Sequence, residues 1–308
     1  MRADSFIFTA SDGEEIFVYR WSPAGTCRGI VQIAHGMAEH AGRYDDFAKA
    51  LTDAGYRVYA NDHRGHGRTA GTQERLGHFA DRSGWDRTME DMHELTVRIR
   101  QENTSQQTLF LLGHSMGSFL ARYYAQSYGD ELAGLILSGT GISKGPVSSV
   151  GLSIAKLQGW VRGKKTRSKL LDRLSFGKFN HSFMPIRTSF DWLSRDEEEV
   201  DKYIRDPLCG QIATSQFFRD LITGVKVLDR PQHLQRIPST LPIYLFSGAK
   251  DPVGEEGKGV HKVAKLLKDA GVKEVEIRLY EDGRHEMLNE LNKEEVYHDV
   301  LTWLERHQ

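Results

Sequence analysis

The chain has 308 residues, a formal net charge of −1 and 39% hydrophobic residues, and this length suits one large α/β domain or two small ones. This composition excludes a disordered chain, and the near-neutral charge indicates no nucleic-acid partner. Cys27 and Cys209 lie far apart without metal-ligand spacing, so neither a disulfide framework nor a zinc site is expected.

The first residues, MRADSFIFTASDGEEIFVYRW, alternate like strands and lack the long apolar stretch of a signal peptide. No segment contains the ~18 consecutive apolar residues that are needed to span a bilayer. We therefore expect a soluble, cytoplasmic protein.

Eight strands are predicted in chain order, at residues 6–9, 16–21, 29–34, 57–61, 109–112, 135–138, 243–247 and 275–280. Five helical patterns separate most of them, at residues 44–54, 85–102, 119–127, 260–269 and 294–306. Strands that alternate with helices indicate parallel pairing, right-handed crossovers and helices on both faces of the sheet. The first two strands are joined by Ser11, Asp12 and Gly13, which is a hairpin signal. We expect an α/β fold with a mainly parallel eight-stranded sheet and an antiparallel start.

The alternation of strands and helices lapses over residues 142–240, where no strand is predicted. This stretch contains helix-like segments at residues 150–161, 168–174, 187–203 and 215–228. Inserted at the carboxyl edge of the strands, it would cover the place where open α/β sheets bind ligands. We expect a core of residues 1–141 and 241–308 and a helical cap of residues 142–240, with a separate binding domain as the alternative.

The segment TLFLLGHSMGSFLARYYA, residues 108–125, runs from a buried strand through one serine into a helical pattern. Such a tight reversal leaves no room for Cβ atoms two residues to either side of Ser115, and Gly113 and Gly117 stand there. Strand, Gly-x-Ser-x-Gly and helix together indicate a nucleophile elbow that exposes the Ser115 hydroxyl.

A serine nucleophile needs a base, and the base needs an acid that orients it. Two later strands lead into loops that carry Asp251 and His285, in the order acid then histidine. We expect His285 to take the proton of Ser115 and Asp251 to orient the imidazole. Asp282 is closer to His285 in sequence, but proximity along the chain gives no reason for correct geometry.

An oxyanion intermediate needs two hydrogen-bond donors. We expect the backbone N–H groups of Met116, directly after the serine, and of Met37, in the loop after the third strand. Glu39 and Arg43 in the same loop form either a plain i,i+4 salt bridge or the polar wall of the substrate pocket.

The segment NDHRGHGRTAG carries His63 and His66, three residues apart, which raises the question of a metal site. Zinc would need a third protein ligand within reach, and no spacing in the sequence indicates one. We interpret both histidines as packing residues of a loop, and we expect no metal.

Five segments appear in the order HGMAEHAGRY, NDHRGHGRT, GHSMG, GAKDPV and GRHEMLNE, from about residue 30 toward the C-terminus. The chain thereby resembles the α/β-hydrolases, and more narrowly the monoacylglycerol lipase/lysophospholipase group that is also labelled serine aminopeptidase S33. The resemblance implies Ser115, Asp251 and His285 as a triad, Met37 and Met116 as oxyanion donors, and ester hydrolysis through an acyl-enzyme without a cofactor. Ala38 stands where many members carry glycine, and we expect only a small change in loop shape.

One predicted cap helix bears an apolar face, formed by Val150, Ile154, Leu157 and Val161 with Trp160 beside it. We expect this face to pack against the core or another cap helix; the alternative is that part of it receives an acyl chain or touches a lipid surface. A basic run follows, consisting of Lys164, Lys165, Arg167 and Lys169. Such a run is usually solvated, and it also suits anionic lipid head groups.

The leading hypothesis for the substrate is a monoacylglycerol-like lipid ester. A lysophospholipase or a short-chain carboxylesterase would use the same three residues. An aminopeptidase would need carboxylates on the inner face of the cap, for which the acidic segment RDEEEVD from Arg195 is a candidate, although it resembles an exposed helix start. A non-catalytic relative generally lacks a triad member, and none is missing. The serine at the elbow, Ser115, also excludes three other enzyme classes of this fold. Dehalogenases and epoxide hydrolases carry an aspartate at this position, and dienelactone hydrolases carry a cysteine.

Overall fold

The computed structural model describes residues 2–103, 107–143 and 145–308. In these residues eight strands form one sheet in the order β1-β2-β4-β3-β5-β6-β7-β8. The strands are β1 (Arg2–Thr9), β2 (Glu15–Ser22), β3 (Gly29–Ala34), β4 (Tyr56–Asn61), β5 (Thr108–His114), β6 (Gly134–Ser138), β7 (Ile243–Gly248) and β8 (Val275–Tyr280). Strand β2 pairs antiparallel with β1 and β4, and all other neighbours pair parallel, as predicted.

The helices occupy both faces of the sheet. They are α1 (Asp45–Asp53), α2 (Gly67–Ala70), α3 (Gly84–Glu102), α4 (Met116–Tyr128), α5 (Pro146–Arg162), α6 (Lys169–Phe176), α7 (Glu197–Arg205), α8 (Ser215–Leu228), α9 (Pro231–Leu234), α10 (Lys258–Asp269) and α11 (Lys293–Arg306). One apolar cluster lies under α3, α4 and α10, and a second lies under α1 and α11. Because both faces are covered, the central strands β3, β5, β6 and β7 are apolar and almost wholly buried.

The parallel register brings the carboxyl ends of the central strands to one edge. His114 at the end of β5 pairs with Ser138 of β6, and Ser138 in turn pairs with Phe246 of β7. Gly248 at the end of β7 lies opposite Tyr280 at the end of β8. The loops that follow β5, β7 and β8 therefore leave the sheet side by side.

Helices α5 to α9 lie between β6 and β7, and this part of the described chain adds no strand to the sheet. The predicted helix at residues 187–203 is wrong in its first half. Asp191 accepts hydrogen bonds from the backbone N–H groups of Arg187 and Thr188, and this side chain holds a turn in place of a helix. Asp196 then caps the start of α7 by accepting from Glu198 N and Glu199 N.

The expectation that the apolar face of α5 packs holds for Ile154, which is partly buried against the first apolar cluster, and is wrong for the other residues of that face. Val150, Leu157 and Val161 are more than half exposed, and Trp160 is 85% exposed. The opposite face, formed by Gly151, Ala155 and Gly159, packs on α8. A Cβ at Gly151 would lie 3.2 Å from Ile222 Cδ1, and one at Gly159 would lie 3.6 Å from Ser215 Oγ. Small residues spaced by four allow the two helices to approach closely, so the large side chains point outward.

None of the described helices combines the length and the apolar character that crossing a membrane requires.

Trp303 of α11 anchors the second apolar cluster. Its indole stacks on Tyr244 at 5.8 Å between ring centroids and meets the edge of Phe110 at 6.1 Å. Trp303→Ala is expected to lower the free energy of unfolding by about 3–5 kcal/mol, because a fully buried aromatic side chain leaves a cavity. Urea denaturation measures the loss.

The exposed Trp160 supplies a matched control for this variant. Trp160→Ala is expected to change the free energy of unfolding by no more than about 0.5 kcal/mol. Equal losses in the two variants would contradict the described packing of α11.

Candidate active site

Ser115 occupies a strained turn between β5 and α4. Its φ of 52° and ψ of −119° are unusual for a residue with a side chain. Its backbone N–H donates to Ser138 O at 2.9 Å. A Cβ at Gly113 would lie 2.3 Å from Gly117 O, and a Cβ at Gly117 would lie 2.0 Å from Ala34 O. Only glycine fits at these two positions, which agrees with the predicted elbow.

Asp251 follows β7, His285 follows β8, and the two side chains are hydrogen-bonded. His285 Nδ1 donates to Asp251 Oδ1 at 2.9 Å. The carboxylate also accepts from Ser247 Oγ and from Val253 N, both at 2.8 Å. In a neutral imidazole this bond places the proton on Nδ1 and leaves Nε2 as an acceptor. The alternative, Asp282, is an exposed residue of the preceding turn with a φ of 59°.

The bond between these two buried groups shifts both of their pKa values toward the charged forms. Burial alone would raise the pKa of Asp251, but the charge and hydrogen bond of His285 lower it below its usual value. Burial alone would lower the pKa of His285, but Asp251 raises it above its usual value, with smaller contributions from Glu286 and Glu39. The pair is therefore suited to stabilise an imidazolium.

Ser115 and His285 line one cavity of about 290 Å³. Gly36 and Met37 border the same cavity, and a Cβ at Gly36 would lie 3.3 Å from Ser115 Cβ. Met116 begins α4 directly after the serine. The insertion between β6 and β7 contributes the side chains that face them across the cavity, which include Phe176, Phe190, Trp192, Leu193 and Tyr203.

Ala38 adopts a left-handed conformation with a φ of 57°. Its carbonyl oxygen accepts from Gly210 N at 2.9 Å and from Tyr203 Oη at 3.0 Å. Glycine would take this backbone without strain, so these two hydrogen bonds help to hold alanine there. They also attach the loop after β3 to the insertion.

Glu39 and Arg43 form the i,i+4 salt bridge, which is one of the two predicted alternatives. Glu39 is buried, and the Arg43 side chain is 10% exposed. Arg43 Nη1 contacts Glu39 Oε2 at 2.8 Å, and Arg43 binds Glu286 through two hydrogen bonds of 2.7 and 2.6 Å. Burial opposes the charge of Glu286, yet Arg43 lowers its pKa to about 2. Glu39 Oε1 accepts from Gly36 N at 2.5 Å and lines the cavity, while Arg43 lies behind it. Sequence reasoning missed Glu286, although it directly follows His285.

His63 and His66 pack inside the loop after β4, as interpreted from the sequence. The ring of His63 lies 4.2 Å from that of His35, and His63 N donates to His35 Nε2 at 2.9 Å. His66 contacts Phe79 and Phe217. Burial lowers the pKa of His63 to about 3 and that of His66 to about 4, so both rings are neutral.

A different cluster has the composition of a metal site. The ligand atoms of His40, Asp206 and Cys209 lie within 4.8 Å of one another. However, His40 Nδ1 accepts from Gly42 N, so the ring proton lies on Nε2, which donates to Asp206 Oδ2 at 2.8 Å. A histidine that binds a metal ordinarily donates its second ring N–H to an acceptor, and His40 has the opposite arrangement. The geometry is that of a hydrogen-bonded pair beside a buried thiol.

The chain is similar to known proteins in its sequence and in its fold. The family model Hydrolase_4, described as "Serine aminopeptidase, S33", matches residues 25–292. The monoacylglycerol lipase of Mycolicibacterium smegmatis is 31% identical over 305 residues, which are 97% of this chain and 96% of that protein. The human monoglyceride lipase is 28% identical over 96% of this chain and 88% of its own length.

Solved structures agree with the sequence comparisons. A thermostable carboxyl esterase from Bacillus coagulans, in complex with glycerol, has a TM-score of 0.91 and 28% identity, with 99% of this chain and 98% of that chain covered. The predicted fold and the predicted class, a carboxylic ester hydrolase, are confirmed. On its sequence and its architecture, the chain belongs to the Hydrolase_4 (serine aminopeptidase S33) family of α/β-hydrolases.

Proposed function

We propose that the protein hydrolyses monoacylglycerol-like, single-chain lipid esters through an acyl-enzyme on Ser115. The observation that carries this proposal is one cavity lined by Ser115 and by His285, whose Nδ1 is bonded to the buried Asp251. The names of the relatives, monoacylglycerol and monoglyceride lipases, support the substrate class.

In the first half-reaction Ser115 Oγ attacks the ester carbonyl carbon while His285 Nε2 takes the hydroxyl proton. Asp251 holds the imidazole through Nδ1 and stabilises the imidazolium that forms. His285 then gives the proton to the leaving alkoxide, which departs as the alcohol and leaves Ser115 acylated. Water, activated by the same imidazole, releases the fatty acid and restores the serine.

The negative charge on the former carbonyl oxygen needs two donors, which we assign to Met37 N and Met116 N. Glu39 supports this role for the loop, because its carboxylate accepts from Gly36 N, directly before Met37. Arg43 forms ion pairs with both Glu39 and Glu286, so it links the loop after β3, which carries Met37, to the loop that carries His285. We further assign Glu39, backed by Arg43, to the polar wall that meets the alcohol part of the ester.

Residues 142–240 act as a cap over this site, and residues 1–141 and 241–308 form the core. The aromatic side chains that α6 and the following segment contribute to the cavity support this division. They offer an apolar surface for one acyl chain, opposite the polar side of the cavity.

Aminopeptidase activity is the second candidate, because the family description names it. The acidic segment after Arg195 gives it no support: Asp196 caps α7, and Glu199 pairs with Lys202. Asp172 favours it, since this half-buried carboxylate lines the cavity from the cap and could bind a substrate amine.

A rate comparison tests the substrate class. We expect the purified protein to hydrolyse monoacylglycerols of several chain lengths at least about 10-fold faster than a lysophospholipid or an aminoacyl amide at equal concentration. Faster cleavage of the lysophospholipid or the amide would overturn the proposed substrate, and a preference for short p-nitrophenyl esters would indicate a general carboxylesterase.

The variant Ser115→Ala tests the nucleophile. Ester hydrolysis is expected to fall by about 10⁵-fold or more, because neither attack nor acylation is possible without the hydroxyl. A fluorophosphonate should label the wild-type protein once, at Ser115, and should not label the variant. Undiminished turnover in a folded Ser115→Ala protein would refute the assignment.

The pH dependence of kcat/KM follows from the raised pKa of His285. The imidazole accepts a proton only when it is neutral, so activity should be lost as the pH falls through the pKa of His285. This pKa lies above 6.5, which is the ordinary value for histidine. Asp251→Asn removes the group that raises this pKa, so the loss should move to lower pH, and the maximal rate should fall by about 10⁴-fold. An unchanged pH profile in this variant would contradict the described pair.

We also propose that the cap touches a lipid surface through the exposed apolar side of α5. Trp160, Leu157 and Val161 are exposed there, and Lys169 is exposed on the next helix. Trp160→Glu should weaken sedimentation with phosphatidylglycerol vesicles by about 10-fold and leave p-nitrophenyl acetate hydrolysis unchanged. Equal sedimentation of both proteins would reject this contact.

A cytoplasmic location is part of the proposal, and the free thiols of Cys27 and Cys209 support it.

A further inference from the structure

A short segment of the insertion, residues 191–195, is bonded to the loop that carries His285. The backbone N–H of His285 donates to Trp192 O at 3.3 Å, and that of Glu286 donates to Leu193 O at 2.7 Å. Arg284 Nη1 donates to Asp191 O at 2.5 Å, and Ser194 Oγ donates to Asn289 O at 2.8 Å. The insertion therefore forms a second support for the His285 loop, in addition to β8.

Within this segment the side chain of Trp192 lies against the imidazole of His285. The two ring centroids are 5.0 Å apart, with an angle of 36° between the ring planes. A cation within about 6 Å of an indole centroid is attracted to the ring electrons, and burial strengthens the attraction by excluding water. His285 is 2% exposed, so this contact is not screened by water.

The other groups near His285 do not replace the indole. His114 also packs on the imidazole, at 4.8 Å between centroids, but burial and then the charge of His285 lower its pKa to about 4, so it is neutral. Asp251 is the bonded anion, and Glu286 and Glu39 are anions whose charge Arg43 offsets. Among the described contacts of the imidazole, Trp192 contributes the aromatic face that the insertion supplies.

Trp192 is itself fixed by aromatic neighbours. Its ring lies parallel to that of Phe176, with an angle of 13° and 6.2 Å between centroids, and it meets the ring of Phe179 at 5.0 Å. Its backbone N–H donates to Asn180 Oδ1 at 2.8 Å. Trp192 and Phe176 both line the cavity, so the side chain that touches His285 also faces the bound ester.

We propose that Trp192 is a positioning residue for His285. The indole of Trp192 holds the imidazole of His285 in place and stabilises the imidazolium that forms when Ser115 gives up its proton. The inference rests on the proposed function, because only a catalytic imidazole acquires this charge during turnover. The insertion then takes part in the chemical step and does not merely enclose the substrate.

The test compares Trp192→Leu and Trp192→Phe with Trp160→Leu, a control at the exposed tryptophan of the same insertion. With p-nitrophenyl acetate, whose acyl group is too short to need the apolar cavity, we expect Trp192→Leu to lower kcat by about 10-fold with little change in KM. Trp192→Phe keeps an aromatic face and should lie between Trp192→Leu and the wild type. With this soluble ester, which needs no lipid surface, Trp160→Leu should match the wild type, because Trp160 does not line the cavity.

The pH profile supplies a readout that a merely structural role would not move. Leucine keeps the site apolar but does not attract a cation, so the pKa of His285 should fall and the acid-side loss of kcat/KM should move to lower pH. An unchanged kcat and pH profile in Trp192→Leu, with a higher KM for a decanoyl ester alone, would show that Trp192 is only a cavity wall and would overturn the proposal.

Two measurements keep this test separate from the proposed function. Wild-type protein that hydrolyses no ester would reject the function itself, whereas active wild type with unaffected Trp192 variants rejects only the role of Trp192. If thermal denaturation shows that Trp192→Leu does not fold, Trp192→Phe decides, because it changes the volume less. A kcat for Trp192→Phe at the wild-type value, with an unmoved pH profile, would then overturn the proposal.

Discussion

The buried hydrogen bond between His285 and Asp251 is the interaction on which the site depends. Removing both side chains from water disfavours their charged forms, and each alone would be neutral. The hydrogen bond of 2.9 Å between His285 Nδ1 and Asp251 Oδ1 reverses this preference, so both groups favour their charged forms. Ser247 Oγ and Val253 N also donate to the Asp251 carboxylate. The bond exists because β7 and β8 are parallel neighbours whose carboxyl ends meet at one edge of the sheet.

Charged side chains at the same edge of the sheet form ion pairs with one another. Arg43 pairs with Glu39 on one loop and with Glu286 on another, and none of the three side chains is more than 10% exposed. A buried ion pair contributes little net stability, but removing one partner leaves an uncompensated charge. The network therefore fixes the relative position of the loops after β3 and β8, which carry Met37 and His285.

The sheet and most residues of the candidate site could be predicted from the sequence, because the signals are local. Strands β3 and β8 have the predicted bounds, and the spacing of Gly113, Ser115 and Gly117 identifies the turn. The segment at residues 187–196 could not be predicted, because the bonds of Asp191 replace a helix that the local pattern favours. Contacts across long sequence separations, such as those of Trp192 and Glu286 with the site, leave no local pattern.

The seam of Gly151, Ala155 and Gly159 between α5 and α8 has a consequence for how this protein can diverge. Ala155 is buried, and a Cβ at Gly151 would already lie 3.2 Å from Ile222 Cδ1, so a bulky side chain at either position would push the helices apart. Val150, Leu157 and Trp160 on the far side are mostly exposed, so packing constrains them less. Mutation can therefore remodel the outward surface while the architecture stays intact, and the proposed contact with a lipid surface can change separately from the chemistry beneath.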